Sequence, residues 1–222
     1  MGLFNTENFR RALALYLQRL PDAAVVTLYV TAGAVAIGML LGLLLVLARL
    51  SPAAWLARAA QGATSVLRTI PVPPFLYLSY FGVISAVGPV EPAVCGMVAL
   101  GILLTPYMSE IYRSGIQSVR RGYIEAGLAL GMSDARVRRR IILPIALRLL
   151  LPAIGAQIVV TLLNSSFVSV MGGKDITGMS RNIIYSWFSS DLYLVVAITY
   201  FVIAYPMSRA LGWLERRLAM QQ

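Results

Sequence analysis

The stretch from Tyr123 to Pro144 reads YIEAGLALGMSDARVRRRIILP, a polar and basic interruption in a chain that is otherwise mostly apolar. It carries Arg136, Arg138, Arg139 and Arg140. An arginine at the centre of a bilayer costs roughly 2.5 to 3.5 kcal/mol even on an insertion scale, so this stretch belongs in water. Tyr123 to Leu130 has the composition of a short helix, and Gly131 has the backbone freedom to close it. Ser133 or Asp134 can cap a second helix, whose basic first turns run into the apolar residues before Pro144. The expected product is a helix-turn-helix knob with Glu125 on its first helix. Such a knob, held rigidly outside a membrane, suits docking into a groove on another protein.

The surrounding chain supplies the membrane. Of 222 residues, 59% are hydrophobic and 13% charged, and the mean hydropathy is +0.76. A soluble domain of this length could not hide so much apolar surface, so lipid is the expected solvent. The net charge of +10 comes from arginine with a single lysine, Lys174, against nine acids. In a membrane protein that excess marks cytoplasmic loops beside anionic headgroups rather than nucleic-acid binding. No histidine is present and Cys95 is the one cysteine, which excludes a Ser-His-Asp triad, histidine-based metal or haem sites and intramolecular disulfides. Cys95 in AVCGMVAL reads as a small apolar helix residue.

Outward from the knob, the pattern is all-α, an integral membrane bundle of five spans over about residues 23–48, 59–88, 92–117, 146–171 and 192–214, with the knob in the loop 118–145. Residues 1–20 precede them as an amphipathic helix expected to lie along a membrane face, Phe9, Leu13, Tyr16, Leu17 and Leu20 opposing Arg10, Arg11 and Arg19. Gly38 and Gly42 form a small-xxx-small pair that lets another helix approach closely. Pro71, Pro73 and Pro74 interrupt the second span, which should be broken or kinked and face a cavity or a neighbouring helix. The third span contains Glu110, an intramembrane acid and hence a functional candidate, with Arg113 at i+3 as a structural partner. In the fourth, Asn164, Ser165 and Ser166 are consecutive, so they cannot all face lipid. Residues 172–191 read as a polar outer segment.

The Tyr123–Pro144 stretch resembles the cytoplasmic loop of permease subunits of binding-protein-dependent ABC importers, in which Glu-Ala-Ala, a glycine and Ile-x-Leu-Pro recur at this spacing. Here those positions are Glu125, Ala126 and Gly127, then Gly131, then Ile141, Leu143 and Pro144. Gly127 replaces the usual alanine, a small-for-small change that keeps room for a partner. Arg68-Thr69-Ile70-Pro71, LYLSYFG at 76–82 and YMSEIYRSGIQSV at 107–119 are similar to segments of the polar amino acid branch.

The resemblance implies the type I importer permease fold and a multi-pass protein of the bacterial inner membrane. It implies that the loop, through Glu125, Ala126, Gly127, Gly131, Leu143 and Pro144, is a coupling helix seated in a cleft of an ABC ATPase subunit present in two copies. A second permease subunit, identical or different, and an extracytoplasmic solute-binding protein complete the set. The substrate pathway for a polar amino acid would include Glu110, Asn164, Ser165 and Ser166. At 163–164, where the family often has Lys-Asp, this chain has Leu163 and Asn164. ATP and Mg are expected in the partner, since no Gly-x4-Gly-Lys-Ser/Thr occurs here: Gly172-Gly173-Lys174 lacks the earlier glycine and the following hydroxyl.

With the knob inside, fourteen basic residues fall on the cytoplasmic side and five outside, so the N-terminus is expected outside and the C-terminus in the cytoplasm. Two other classes compete with a transport subunit. A membrane-embedded enzyme acting on lipid-linked substrates needs clustered carboxylates, a metal set or an activated nucleophile. A channel or scaffold subunit would line a pore with Asn164 to Ser166.

Overall fold

The computed structural model describes residues 6–219. Among them all regular structure is helical. Four stretches are long and apolar enough to cross a bilayer: Glu7–Arg49, Pro92–Gln117, Asp134–Met171 and Leu192–Arg217. A bent pair supplies the fifth if its two arms form one span.

Helix α1 runs unbroken from Thr6 to Arg49 with Pro21 inside it. The expected surface helix and the first span are therefore one rod of about 66 Å, at a rise of about 1.5 Å per residue; residues 1–5 of that expectation lie outside the described residues. Pro21 removes one donor and crowds the preceding turn, yet the chain does not turn, because the same apolar stripe continues across it. Ala12 and Tyr16 before the proline and Ala23 after it are buried in one cluster with Ile176, Ile183, Leu192 and Tyr200. Laying residues 6–20 on the membrane face would uncover that stripe.

Proline does break the second span. Helices α2 (Ala54–Thr69) and α3 (Val72–Val87) meet at a bend of 104°, with Ile70 and Pro71 in extended backbone between them. Helix α4 (Pro92–Gln117) lies along α1 in the same direction. The small residues expected to permit a close approach do so: a Cβ on Gly38 would lie 2.6 Å from Leu104, and one on Gly42 would lie 2.5 Å from Met108 Cβ. From the other side, a Cβ on Gly101 would meet Ile37 at 2.7 Å.

After the third span come α5 (Arg121–Ala129) and α6 (Asp134–Val137), then a π-helical turn (Arg138–Ile142), α7 (Leu143–Asn164) and two turns of 3₁₀ helix (Ser165–Met171). Residues 172–191, expected as a polar segment, are largely helical and carry an apolar buried face. Helix α8 (Ile176–Trp187) occupies most of them and buries Ile176, Met179, Ile183 and Ile184 at helical spacing. Helix α9 (Leu192–Ala219) completes the bundle.

Candidate functional site

The knob is built as its sequence suggests. Gly131 has a φ of +74°, a region that favours glycine. Gly131 N–H donates to Leu128 O and Met132 N–H to Gly127 O, the paired bonds that end a helix on a left-handed residue. Ser133 occupies the N-cap of α6 in extended backbone, but its side chain makes no cap bond. Pro144 sits in the first turn of α7 and brings no N–H of its own. Just ahead of it, Leu143 N–H reaches back to Arg138 O, the wider step of the π-helical turn. The result is one continuous helical column from Asp134 to Met171. The second arm of the knob is thus continuous with a span.

The structure separates the six candidate residues of this segment. Glu125, Ala126, Gly131, Leu143 and Pro144 carry at least partial exposure, whereas Gly127 is buried. The room left by Gly127 is taken internally: a Cβ there would lie 2.7 Å from Ile141 and 3.2 Å from Val137. Its small size lets α5 sit on the column instead of making space for a partner. Glu125 forms no ion pair with Arg121 among the described residues. Beside it Tyr123, Leu128 and Leu130 are exposed, Leu130 to 83%. These apolar side chains stand beside the exposed arginines of the same segment.

Glu110 lies in a second polar cluster, near the cytoplasmic ends of α1 and α4 if the knob is inside. Its carboxylate pairs with Arg113 one turn on and with Arg49 Nη1 at 2.9 Å. Arg49 also donates to Ser109 Oγ at 3.2 Å. The Arg113 partner is legible at i+3, while Arg49, 61 residues earlier in the chain, carries no sequence signal of the pairing. Gln61, Thr64, Ser65 and Arg68 of α2 line the same cavity, of about 680 Å³. The bent span therefore faces a cavity and its neighbours, as its prolines imply.

Asn164 to Ser166 are elsewhere. Ser165 is buried with Oγ donating to Leu162 O at 2.7 Å, and Ser166 Oγ donates to Leu163 O at the same distance. Asn164 is half-buried, and its side chain makes no hydrogen bond among the described residues. The 3₁₀ turns that follow pack on the start of α4, where a Cβ on Gly96 would lie 2.6 Å from Val168. Glu110 is fourteen residues further along α4, about 21 Å away at the helical rise. The four expected pathway residues thus form two sites at opposite ends of α4.

Sequence reasoning misses a third polar cluster. Asp175 is fully buried at the N-cap of α8, where Oδ2 accepts from Thr177 N–H at 3.1 Å and Oδ1 has no hydrogen-bond partner among the described residues. Burial pushes its carboxyl up to about 7, against the pull of nearby backbone N–H groups. Thr27 Oγ1 accepts from Ile176 N–H at 3.1 Å, Thr177 Oγ1 lies 3.0 Å from Tyr200 OH, and Tyr16 OH donates to Thr199 at 2.7 Å. The available clue is the repeated threonine on α1, Thr27 and Thr31, facing the same way as Ala23 and Val30.

Residues 23–220 match the family of binding-protein-dependent transport system inner membrane components. The chain is 34% identical over 184 residues to the nopaline transport system permease protein NocM of Agrobacterium fabrum, spanning 78% of this chain and 76% of that one. It is 32% identical over 201 residues to the glutamine transport system permease protein GlnP of Escherichia coli K12, spanning 89% and 91%. To the glutamate/aspartate import permease protein GltK of Escherichia coli O6:H1 it is 35% identical over 210 residues, spanning 89% and 92%. A crystal structure of an amino acid ABC transporter with histidines has a similar fold, with a TM-score of 0.87, 32% identity and coverage of 98% of this chain and 100% of that one. With an apolar helical bundle, a basic helix-turn-helix knob on one span and a match along nearly its whole length, the chain belongs to the family of inner membrane components of binding-protein-dependent transport systems.

Proposed function

We propose that this chain forms half of the translocation pathway of an ATP-driven importer of polar amino acids. The observation that carries the reading is the knob: α5 presents Glu125, without an ionic partner among the described residues, beside exposed Tyr123, Leu128 and Leu130, and the second arm on which α5 packs is continuous with the span up to Met171. An ABC ATPase subunit, one of two in the complex, covers α5. ATP and Mg sit in that partner. When the two ATPases close, they push α5, and the continuous column from Asp134 carries the displacement to Asn164 without a hinge loop. Two such permeases, identical or different, enclose a central path that opens alternately to each side. A solute-binding protein delivers the amino acid from outside.

In this reading the N-terminus is outside and the C-terminus in the cytoplasm. Asn164 and Ser166 supply polar groups to the outer part of the path, with Ser165 holding the 3₁₀ turn. Glu110 acts at the opposite end through its two guanidinium partners. The test is ATP-dependent amino acid uptake into proteoliposomes holding the purified complex. Glu125→Lys is expected to abolish stimulation of the ATPase by binding protein while leaving the permease folded; normal uptake with that variant would remove the coupling role.

A further inference from the structure

The cavity beside Glu110 is more basic than its one carboxylate accounts for. It is bounded by Arg49, Arg68, Arg113, Gln61 and Gln117 as well as Glu110, and encloses about 680 Å³. Three guanidiniums face a single acid. Glu110 pairs with two of them, and both hydrogen bonds made by Arg49 run through the same nitrogen, Nη1. Arg68 makes no hydrogen bond among the described residues. Its guanidinium instead lies over the Tyr107 ring, 5.4 Å from the centroid. That contact holds the group in place by cation–π attraction and leaves its N–H donors free.

We propose that this cavity is a binding site for a phosphate-bearing anion, held by Arg68 and the unused N–H donors of Arg49, with Gln61 and Gln117 at its edge. A surplus of two positive charges in a walled cleft concentrates anions. Planar guanidinium forks match the oxygen geometry of phosphate. A zwitterionic amino acid fits poorly, because its ammonium meets the same surplus of positive charge. Two sources carry the chemistry: the headgroup of an anionic phospholipid, with half-exposed Leu50 at the rim meeting the acyl chain, or a soluble phosphate ester from the cytoplasm. The cytoplasmic placement rests on the orientation proposed above; the binding chemistry does not.

The experiment uses the purified permease–ATPase complex in a zwitterionic detergent. Thermal stabilisation and calorimetric binding are measured with inorganic phosphate, with short-chain phosphatidylglycerol and with glutamate. At least one phosphate probe is expected to bind saturably at millimolar concentration or below, and Arg68→Gln should weaken it by about tenfold or more. Arg68→Lys should fall between, since it keeps the charge and loses the fork. Preference for the lipid probe assigns a headgroup; equal or better binding of inorganic phosphate assigns a soluble ligand. Absence of saturable binding by either phosphate probe, unchanged binding in Arg68→Gln, or glutamate binding more tightly than both would overturn the proposal. Because binding in detergent is independent of sidedness and coupling, such a failure leaves the transport reading standing, and a coupling failure leaves this site standing.

Discussion

Around α8, the side chains of Thr27, Asp175, Thr177 and Tyr200 are turned inward and bonded to one another or to backbone. About 33 Å further along α1, at the helical rise, Arg49, Glu110 and Arg113 line an open cavity, and the adjoining knob leaves nearly all its charges in solvent. The distance between the two groups is close to the thickness of a bilayer's apolar core. At the first end polarity staples helices together. At the second it is left available for partners. Substitutions at the first end should therefore move stability, and substitutions at the second should move transport.

The largest effect is expected from Thr27→Val. Valine keeps the shape but leaves the buried Ile176 N–H without its acceptor, which costs about 1 to 3 kcal/mol. Thermal denaturation of the purified complex should show a lower midpoint, with uptake per folded complex unchanged; a drop in specific uptake at normal stability would reverse the assignment of the two ends. At the other end, Gly131→Val forces a branched side chain into left-handed backbone, a strain of about 1 to 2 kcal/mol. In the exposed knob this should reduce ATP-driven uptake by about tenfold, more than the few degrees by which such a strain lowers the melting midpoint accounts for. Uptake at the parental rate would show that the shape of the turn is irrelevant to coupling.

Glu110→Gln probes the division from within the ionic end. The pair is partly exposed, with 31% of the Glu110 side chain accessible, so its loss should cost about 1 kcal/mol or less. A double-mutant cycle with Arg49→Gln checks the coupling, and additive effects would mean that the ion pair does not fasten α1 to α4. The smallest change is expected from Asp175→Asn at pH about 4, where the folded carboxyl is protonated and as neutral as the amide. The folded carboxyl titrates at about 7 where the unperturbed group titrates at 3.8. Between these values the folded protein keeps a proton that the unfolded chain has released, so stability falls as pH rises from about 4 to about 7 and is level above that. An amide at position 175 has no such proton to bind, so denaturation midpoints of Asp175→Asn should lack this decline. An unchanged pH profile would place its origin at another group.

What is legible in the sequence follows the same division. The knob, the proline break at Ile70-Pro71 and the glycine contacts between α1 and α4 depend on local spacing or on residue types with strong backbone preferences, and each can be read from the chain. The pairing of Arg49 with Glu110 and the stapling of Thr27 to Ile176 join positions far apart in sequence, where no local rule applies. Two local rules also mislead. Proline at position 21 marks a helix end by its missing donor, but tertiary burial of Ala12, Tyr16 and Ala23 in one cluster overrides it. The glycines, lysine and aspartates bracketing residues 176–187 suggest a loop and hide the helical spacing of Ile176, Met179 and Ile183. Glu110 and Asn164 share polarity but not a place, since the length of α4 keeps them apart.

Whether an ATPase covers α5 decides the whole reading of the open end. Site-specific cross-linking of the assembled complex from Ala126→Cys asks that question at one residue, the native Cys95 being buried. A cross-link to the ATPase subunit is expected from Ala126→Cys and none from Glu91→Cys, at the opposite end of α4. An ATPase adduct at position 91, or its absence at position 126 in a complex active in uptake, would contradict the coupling role of the knob.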